Sequence, residues 1–302
     1  MCGIVAFIGQ KKSASRVIFD GLKLLEYRGY DSSGIALIYD NEIKTFKKKG
    51  RVKESENLYN KNQIKANIGI GHTRWATHGE PNDINSHPIE SYSKKFAIVH
   101  NGIIENYKEL KSLLIDKGIQ FKTDTDTEVL INFIEMCINE SKNIDKGLSF
   151  ALSRVEGAYG IVIINTKNPE LIYAARRGSP LAFGKINDDF IIASDPRPIV
   201  EYTKKIIYLD NNQILKITNN NFEILDLDLN KINKNFDYVD LEIEKAEIGD
   251  YDSFMLKEIM EQPSSINQSM LGRVKDNNIT LGGIDKYVNN LIKCRRIILI
   301  GC

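Results

Sequence analysis

The 302-residue sequence contains no long uninterrupted apolar run, little cysteine and no excess of either charge. A helix needs about 20 consecutive apolar residues to cross a bilayer, so we expect no membrane-spanning segment. The first apolar run, Ile4–Ile8, is too short for a secretion signal and lacks a preceding basic region. The four cysteines show no paired spacing, so with no secretion signal we expect reduced thiols and a cytoplasmic protein.

The charge balance and the histidine content exclude further classes. Lys and Arg total 41 against 40 Asp and Glu, a net charge of +1, so neither a nucleic-acid partner nor a membrane surface is expected. The four histidines and the isolated cysteines do not form a zinc pattern, and we expect no metal. The stretch Gly69-Ile70-Gly71 lacks the third glycine and the following helix of a dinucleotide site, so we expect no cofactor.

Strand and helix patterns are segregated along the first part of the chain. A buried strand is predicted over Ile4–Ile8, and two consecutive helices over Glu128–Asn139 and Ile144–Val155. Short β-type runs follow from Tyr159 to Leu225. Segregation of this kind favours an α+β fold with antiparallel sheets and helices outside them, rather than alternating βα units.

The composition changes after Leu227, which predicts a domain boundary. We expect a first domain over residues 1–227, a polar linker over 228–250 and the start of a second domain over 251–302. In the last segment, Pro263 is expected to separate two helices, a further helix is expected over Ile284–Lys293, and Arg296–Ile300 is β-type. About 50 residues are marginal for an independent core, so we expect this second domain to be truncated.

The cysteine at position 2 is the most unusual candidate for chemistry. If Met1 is removed, Cys2 carries both a thiol and a free α-amine, with ordinary pKa values of about 8.5 and about 7.7–8.0. The amine can then act as the base for its own side chain, as in N-terminal nucleophile enzymes. The alternative is that Cys2 is only a small apolar residue beside the initiator methionine.

Other residues suit the needs of an acyl-transfer nucleophile that takes an amino-acid substrate. Asn101-Gly102 offers an amide NH₂ and an unhindered backbone N–H for an oxyanion, although Asn-Gly is also a common turn. The Arg74 guanidinium can make a bidentate pair with a carboxylate, or Arg74 is a solvated loop charge. Trp75 is either a lid over the ligand or a core anchor, and Thr77 and His78 either add donors or satisfy the loop backbone. Asp126 either takes an ammonium group or caps the helix that follows it, and its spacing favours the cap.

Five ordered motifs stand out in this sequence: Met1-Cys2-Gly3-Ile4-Val5, Leu25-Glu26-Tyr27-Arg28-Gly29-Tyr30-Asp31-Ser32, Gly71-His72-Thr73-Arg74-Trp75-Ala76-Thr77-His78-Gly79, His100-Asn101-Gly102-Ile103-Ile104-Glu105-Asn106 and Thr125-Asp126-Thr127-Glu128-Val129. They resemble the motifs of the class II glutamine amidotransferases. Within that family they are most similar to the branch that passes the nitrogen to fructose 6-phosphate. The end of the chain is similar to the opening of that branch's α/β sugar-isomerase half, in Phe254–Pro263 and in Ile297–Cys302.

The resemblance implies a fold, a reaction and roles for individual residues. It implies an N-terminal-nucleophile αββα sandwich that hydrolyses glutamine through a thioester on Cys2, with Asn101 and Gly102 forming the oxyanion hole. It implies that fructose 6-phosphate is used only through an isomerase domain absent from this sequence, and that the full-length form is a homo-oligomer. The alternative is a non-catalytic glutamine-binding or regulatory partner of a full-length enzyme. The implied glutamine ligands are Arg74, Thr77 and His78 for the α-carboxylate, Asp126 for the α-ammonium and Trp75 on a closing loop; Arg28 matches a family position without an assigned role.

Overall fold

The computed structural model describes residues 2–76, 79–218, 220–239, 251–252, 254–270, 273–275, 278–279, 284 and 287–298. The chain divides into two compact units, Met1–Lys245 and Ala246–Cys302. No helix among the described residues is long and apolar enough to cross a membrane.

The first unit contains the strands and helices that position the candidate site. Its strands are β1 (Gly3–Ile8), β2 (Ser32–Tyr39), β3 (Glu42–Lys49), β4 (Ile68–Arg74), β5 (Ile89–Glu90), β6 (Phe96–Ile104), β7 (Gly157–Asn165), β8 (Leu171–Arg177), β9 (Ala182–Ile186), β10 (Asp189–Ala193), β11 (Lys205–Tyr208), β12 (Gln213–Thr218), β13 (Phe222–Leu225) and β14 (Asp237–Tyr238). Its helices are α1 (Ala14–Leu25), α2 (Val52–Asn60), α3 (Tyr107–Asp116), α4 (Asp126–Ser141), α5 (Ile144–Arg154) and α6 (Arg197–Val200), with a 3₁₀ turn at Glu26–Arg28.

Local sequence accounts for several of these elements. The β2–β3 hairpin turns at Asp40 and Asn41, which adopt φ of 53° and 57°. Asp and Asn are among the residues that tolerate such positive φ values in hairpin turns. Helix α4 begins after Thr125, whose hydroxyl accepts a hydrogen bond from the Glu128 backbone N–H at 3.3 Å.

The strands form two antiparallel sheets. One has the order β14-β11-β9-β10-β1-β4-β2-β3, and the other has the order β13-β12-β8-β7-β6-β5. Every pairing in these two sheets is antiparallel. The N-terminal strand β1 is therefore central in its sheet, between β10 and β4.

Three buried apolar layers show that the sheets stack face to face between helices. Alternate residues of β1 separate into two layers: Ile4, Ala6 and Ile8 join Val99 and Val162 between the sheets. The intervening side chains of β1 pack among those of α1, and α3, α4 and α5 cover the outer face of the other sheet. The order of layers is therefore helix, sheet, sheet, helix, and the α+β prediction is confirmed.

Two strands extend further than the sequence pattern predicts. The apolar patterns predict strands over Asn67–Gly71 and Phe96–Val99, but β4 continues to Arg74 and β6 continues to Ile104. Asn101-Gly102 therefore lies within a strand rather than in a turn, with Gly102 opposite Tyr159 of β7. The prediction stopped where the apolar residues stop, whereas the strands continue through polar residues. Polar residues can interrupt the apolar pattern of a strand where it leaves the core.

The segment predicted to be a linker is packed in its first part. Ile232 and Phe236 lie against the layer between the sheets, and β14 pairs with β11. The first unit therefore extends beyond residue 227, because isolated apolar side chains in a polar stretch still find buried positions. Residues 240–250 lie outside the described part of the chain. The assignment of the two predicted domains to an amidotransferase and an isomerase stays a prediction.

The second unit differs in detail from the sequence prediction. A single helix, α7 (Phe254–Met270), contains Pro263 instead of being separated there. It is followed by two short paired strands, β15 (Val274–Lys275) and β16 (Asn278–Ile279), and by a short helix α8 (Val288–Leu291). Residues 296–298 are not in a strand. The end of the β run predicted over Arg296–Ile300 lies outside the described residues.

Candidate active site

Strand alternation brings the candidate residues to one end of the space between the sheets. Ile4 and Ala6 of β1 point into that space, so Cys2, two residues earlier, faces the same way. In the same manner, Ile68 and Ile70 of β4 are followed by His72 and Arg74. Ala97 and Val99 of β6 are followed by Asn101. The apolar layer therefore gives way to polar groups at the point where both sheets reach Cys2.

Cys2 lies in a partly buried position where its sulfur contacts the end of β4. Its Sγ accepts a hydrogen bond from the Trp75 backbone N–H at 3.2 Å. Burial raises the pKa of the Cys2 thiol, and the Trp75 N–H and the Arg74 charge oppose this only in part. The thiol is therefore neutral at pH 7 and needs a base to become a nucleophile.

Asn101 reaches Cys2 from the facing sheet. Its Nδ2 donates a hydrogen bond to the Cys2 carbonyl oxygen at 3.1 Å. The next residue, Gly102, has a φ of +131°, and a Cβ there would stand 2.0 Å from the Ala158 carbonyl oxygen. Only glycine fits this conformation and this close approach to β7. The structure therefore places the amide NH₂ of Asn101 beside Cys2, as an oxyanion donor requires.

Arg74 is a buried cation rather than a solvated loop charge. Its exposed fraction is 3%, and its Nη2 donates to the Gly79 carbonyl oxygen at 3.2 Å. Burial lowers the pKa of Arg74, whereas Cys2, Asp31 and Asp126 raise it. The guanidinium thus lies in the same electrostatic environment as Cys2 and Asp126.

Asp126 does not cap its helix in the way that its spacing suggested. Thr125 is the N-cap of α4, and the Asp126 carboxylate instead accepts the Ile104 backbone N–H at 2.9 Å. Asp126 is 5% exposed and ties the start of α4 to the end of β6. It therefore presents a buried negative charge near the residues that follow Asn101.

Trp75 is not a core anchor, because 43% of its surface is exposed. Its ring contacts Tyr30 edge to face, with centroids 5.5 Å apart. Asp31 hydrogen-bonds the residues on both sides of Trp75. Its backbone N–H donates to the Arg74 carbonyl oxygen at 3.0 Å, and its carboxylate accepts the Ala76 N–H at 2.8 Å. The aromatic ring is therefore available to a ligand while its backbone N–H is held on Cys2. Thr77 and His78, the two remaining predicted glutamine ligands, lie outside the described residues.

The structure gives Arg28 a contact that the sequence did not. Its Nη1 donates to the Asp195 carboxylate at 2.9 Å, and Arg197 also contacts Asp195. The adjacent Ser194 hydroxyl accepts the Ile4 backbone N–H at 2.9 Å. This network ties the turn that precedes β2 to the end of β10, beside β1.

Three buried histidines beside Asn101 were not predicted from the sequence, where these three were considered only as zinc ligands. His72 Nε2 lies 2.9 Å from Asn101 Oδ1, and the His72 ring stacks on His87 with centroids 4.6 Å apart. His87 and His100 both hydrogen-bond the Thr127 hydroxyl, at 2.8 and 3.0 Å. The signal was present: in a strand that continues to Arg74, His72 is two residues away and shares its face.

The chain matches the family model described as a glutamine amidotransferase domain over residues 44–238. It is 46% identical over its whole length to the glutamine–fructose-6-phosphate aminotransferase (isomerizing) of Bacteroides thetaiotaomicron, covering 50% of that protein. It is 44% identical, again over its whole length, to the same enzyme of Caldanaerobacter subterraneus, covering 49%. The chain thus spans about half the length of the curated relatives it matches.

Solved structures of similar fold agree with the layer order. The glutamine phosphoribosylpyrophosphate amidotransferase of B. subtilis has a TM-score of 0.64 at 25% identity, over 76% of this chain and 50% of that one. A glutamine aminotransferase class-II domain protein from Silicibacter pomeroyi has a TM-score of 0.53 at 15% identity, over 75% of this chain and 99% of that one, and supports the fold alone. From its motifs, its fold and the family model that matches most of its length, this chain belongs to the glutamine amidotransferase family.

Proposed function

We propose that this chain binds glutamine and releases its amide nitrogen as ammonia, with Cys2 as the nucleophile. The observation that carries the proposal is the meeting of Cys2 with donors from both sheets: Trp75 N–H on its sulfur and Asn101 Nδ2 on its carbonyl. An acyl-transfer nucleophile requires such an arrangement of a thiol and preorganised N–H groups.

The proposed reaction has two steps. The α-amine of Cys2, freed by removal of Met1, accepts the thiol proton while Sγ forms a bond to the glutamine δ-carbon. The C–N bond then breaks, and the proton passes from the amine to the departing nitrogen, which leaves as ammonia. Water next attacks the thioester, giving glutamate and restoring the thiol. A thiol whose pKa is raised by burial depends on that amine as its base.

The surrounding charges fit the two ends of an amino acid. In this proposal Arg74 holds the α-carboxylate together with Thr77 and His78, and Asp126 holds the α-ammonium. Both Arg74 and Asp126 are buried, and Asp126 acts electrostatically on Arg74. Trp75, exposed beside Cys2, covers the bound ligand and gates the release of ammonia. Gly102 adds its backbone N–H to the oxyanion site of Asn101.

For the whole protein we propose a longer reaction, in which the ammonia passes to fructose 6-phosphate to give glucosamine 6-phosphate. The support is the identity to relatives of that name, which are about twice as long as this chain. In this proposal residues 251–302 open the sugar-isomerase domain, the whole protein is a cytoplasmic homo-oligomer, and the present chain acts only as a glutaminase. Sedimentation of the longer protein at several concentrations tests the oligomeric state.

A glutaminase assay with Cys2→Ala tests the proposal directly. The variant is expected to release no ammonia from glutamine, whereas Cys294→Ala, which removes an exposed thiol in the second unit, is expected to retain full activity. Ammonia release by Cys2→Ala at the wild-type rate would contradict the mechanism. Intact-mass measurement of active protein is expected to show that Met1 is absent, and active protein that retains Met1 would exclude the α-amine as the base.

A glutamine-analogue electrophile separates an enzyme from a binding module. The analogue is expected to label Cys2 alone and to be blocked by glutamine, whereas iodoacetamide is expected to label the exposed Cys294 whether or not glutamine is present. Labelling of Cys294 but not of Cys2 by the analogue would indicate a non-catalytic module.

A further inference from the structure

We propose that His72 is a positioning residue that fixes the orientation of the Asn101 side-chain amide and so aims its NH₂ group at Cys2. The proposal rests on the proposed function, because its kinetic consequence appears only in glutamine hydrolysis. Within the described part of the chain, His72 hydrogen-bonds His100 and Asn101 and not the sulfur of Cys2.

The backbone around His72 determines which ring nitrogen carries the proton. His72 Nε2 lies 3.1 Å from the His100 carbonyl oxygen, which can only accept a hydrogen bond. Nε2 must therefore be protonated. An N–H at Nδ1 would be buried without an acceptor among the described residues, whereas a bare nitrogen there leaves no donor unpaired.

The proton on Nε2 in turn determines which way Asn101 faces. The amide atom 2.9 Å from Nε2 must be an acceptor, and so it is Oδ1. The amide NH₂ is then left on the other side, where it donates to the Cys2 carbonyl oxygen at 3.1 Å. A flipped Asn101 would set two N–H groups against each other at His72 and present an oxygen to Cys2.

The surroundings keep His72 in this state. Its ring is fully buried and stacks on His87, 4.6 Å away and 28° from parallel. Burial lowers the pKa of His72 to about 3, so the ring stays neutral throughout the physiological range. His87 is itself fixed by the Thr127 hydroxyl at 2.8 Å. The path from the His100 carbonyl through His72 to Asn101 therefore has one consistent arrangement of donors and acceptors.

This arrangement has a direct chemical consequence. An oxyanion site needs a donor, and an asparagine amide offers an acceptor just as readily unless something distinguishes its two ends. A misoriented carbonyl oxygen beside the developing oxyanion would repel it. His72 therefore contributes to the rate of thioester formation without touching glutamine.

A double-mutant cycle tests whether His72 acts through Asn101. His72→Phe keeps a ring for stacking on His87 but removes the donor, and it is expected to lower kcat by about 100-fold with KM changed by less than about 3-fold. His72→Gln, whose amide can supply a donor near the Nε2 position, is expected to recover most of that loss. In an Asn101→Ala background, His72→Phe is expected to cost less than about 3-fold more.

A merely structural role predicts a different pattern. Ser149→Ala removes a hydrogen bond to the Leu227 carbonyl far along the chain, and it serves as a control that lowers Tm without changing kcat. If His72→Phe lowers kcat as much in the Asn101→Ala background as in the wild type, His72 does not act through Asn101 and the proposal is overturned.

Ring ¹⁵N NMR of the wild-type protein gives a test that does not depend on activity. The sequence holds four histidines, so the His72 signal can be assigned by its loss in His72→Gln. The proposal expects an Nε2–H tautomer that remains neutral at pH 5. An Nδ1–H tautomer would overturn it even if glutamine is hydrolysed, whereas an Nε2–H tautomer in a chain without glutaminase activity would support the arrangement and contradict the proposed function.

Discussion

Replacing Gly102 by alanine should harm the fold and the chemistry together, and the structure allows the size of the first effect to be worked out. Gly102 has a φ of +131°, a region that a residue with a Cβ occupies at a cost of about 1–3 kcal/mol. The new Cβ would also stand 2.0 Å from the Ala158 carbonyl oxygen and 2.7 Å from its carbon. Those are backbone atoms of β7, so the strands must separate.

The second contribution resembles overpacking of a core, which costs about 1–3 kcal/mol. The two contributions together predict a loss of about 2–6 kcal/mol in the free energy of unfolding. Folded domains have only about 5–15 kcal/mol in total, so the variant should unfold at a much lower denaturant concentration. Any folded fraction should also hydrolyse glutamine about 100-fold more slowly, because the N–H beside Asn101 has moved.

Gly118 provides a matched control for the backbone contribution. It follows α3 with a φ of +83°, and nothing lies within 4 Å of the Cβ that alanine would add. Gly118→Ala should therefore cost only the backbone strain, about 1–2 kcal/mol, and leave kcat unchanged. Urea unfolding of both variants, with the slope compared to the wild type, measures the difference. Equal losses for the two variants, or wild-type kcat in Gly102→Ala, would refute the assignment of a steric role to Ala158.

Three further predictions concern Arg74, Asp31 and His72. Arg74→Ala should raise KM for glutamine about 10–100-fold, from the loss of charged hydrogen bonds worth about 1.5–3 kcal/mol, and an unchanged KM would remove Arg74 from the binding site. Asp31→Ala, which releases the Ala76 N–H, should lower kcat about 10-fold, and Asp31→Asn, which keeps an acceptor, should restore it; failure of that rescue would show that the carboxylate charge matters instead. Burial lowers the pKa of His72 to about 3, below an unfolded value near 6.5, so the unfolded chain binds more protons between these values. The free energy of unfolding should therefore fall as pH drops from 6.5 towards 3, by up to about 1.4 kcal/mol per pH unit, and His72→Gln should show a shallower fall; identical pH profiles for the two proteins would contradict this.

The sequence predicts individual strands and helices of this fold better than it predicts which strands pair. The apolar run at Ile4–Ile8 is a local signal, and the strand there was predicted. The pairing of β1 with β10 joins residues nearly 190 positions apart, and no local pattern encodes it. The αββα layers followed from the resemblance and from the segregation of strands and helices.

The candidate site shows the same division. Cys2, Arg74 and Asn101 were predicted from their chemistry, and the structure brings them to one end of the space between the sheets. Asp126 was expected to cap a helix if it had no other role, yet it binds Ile104, because Thr125 already fills the cap. His72 and Asp31 were missed because their importance lies in contacts to the backbone and side chains of distant strands, which only tertiary structure shows.

The central position of β1 has a consequence for the order of events during synthesis. Chains emerge from the ribosome N-terminus first, but β1 has its two neighbours only when β4 and then β10, at Asp189–Ala193, have been made. Contacts at such sequence separation form slowly. The start of the chain therefore stays accessible for the time needed to add almost 190 residues. An aminopeptidase would meet Met1 on an unfolded segment in that interval, so the α-amine of Cys2, the proposed nucleophile, can be freed before the proposed site has formed.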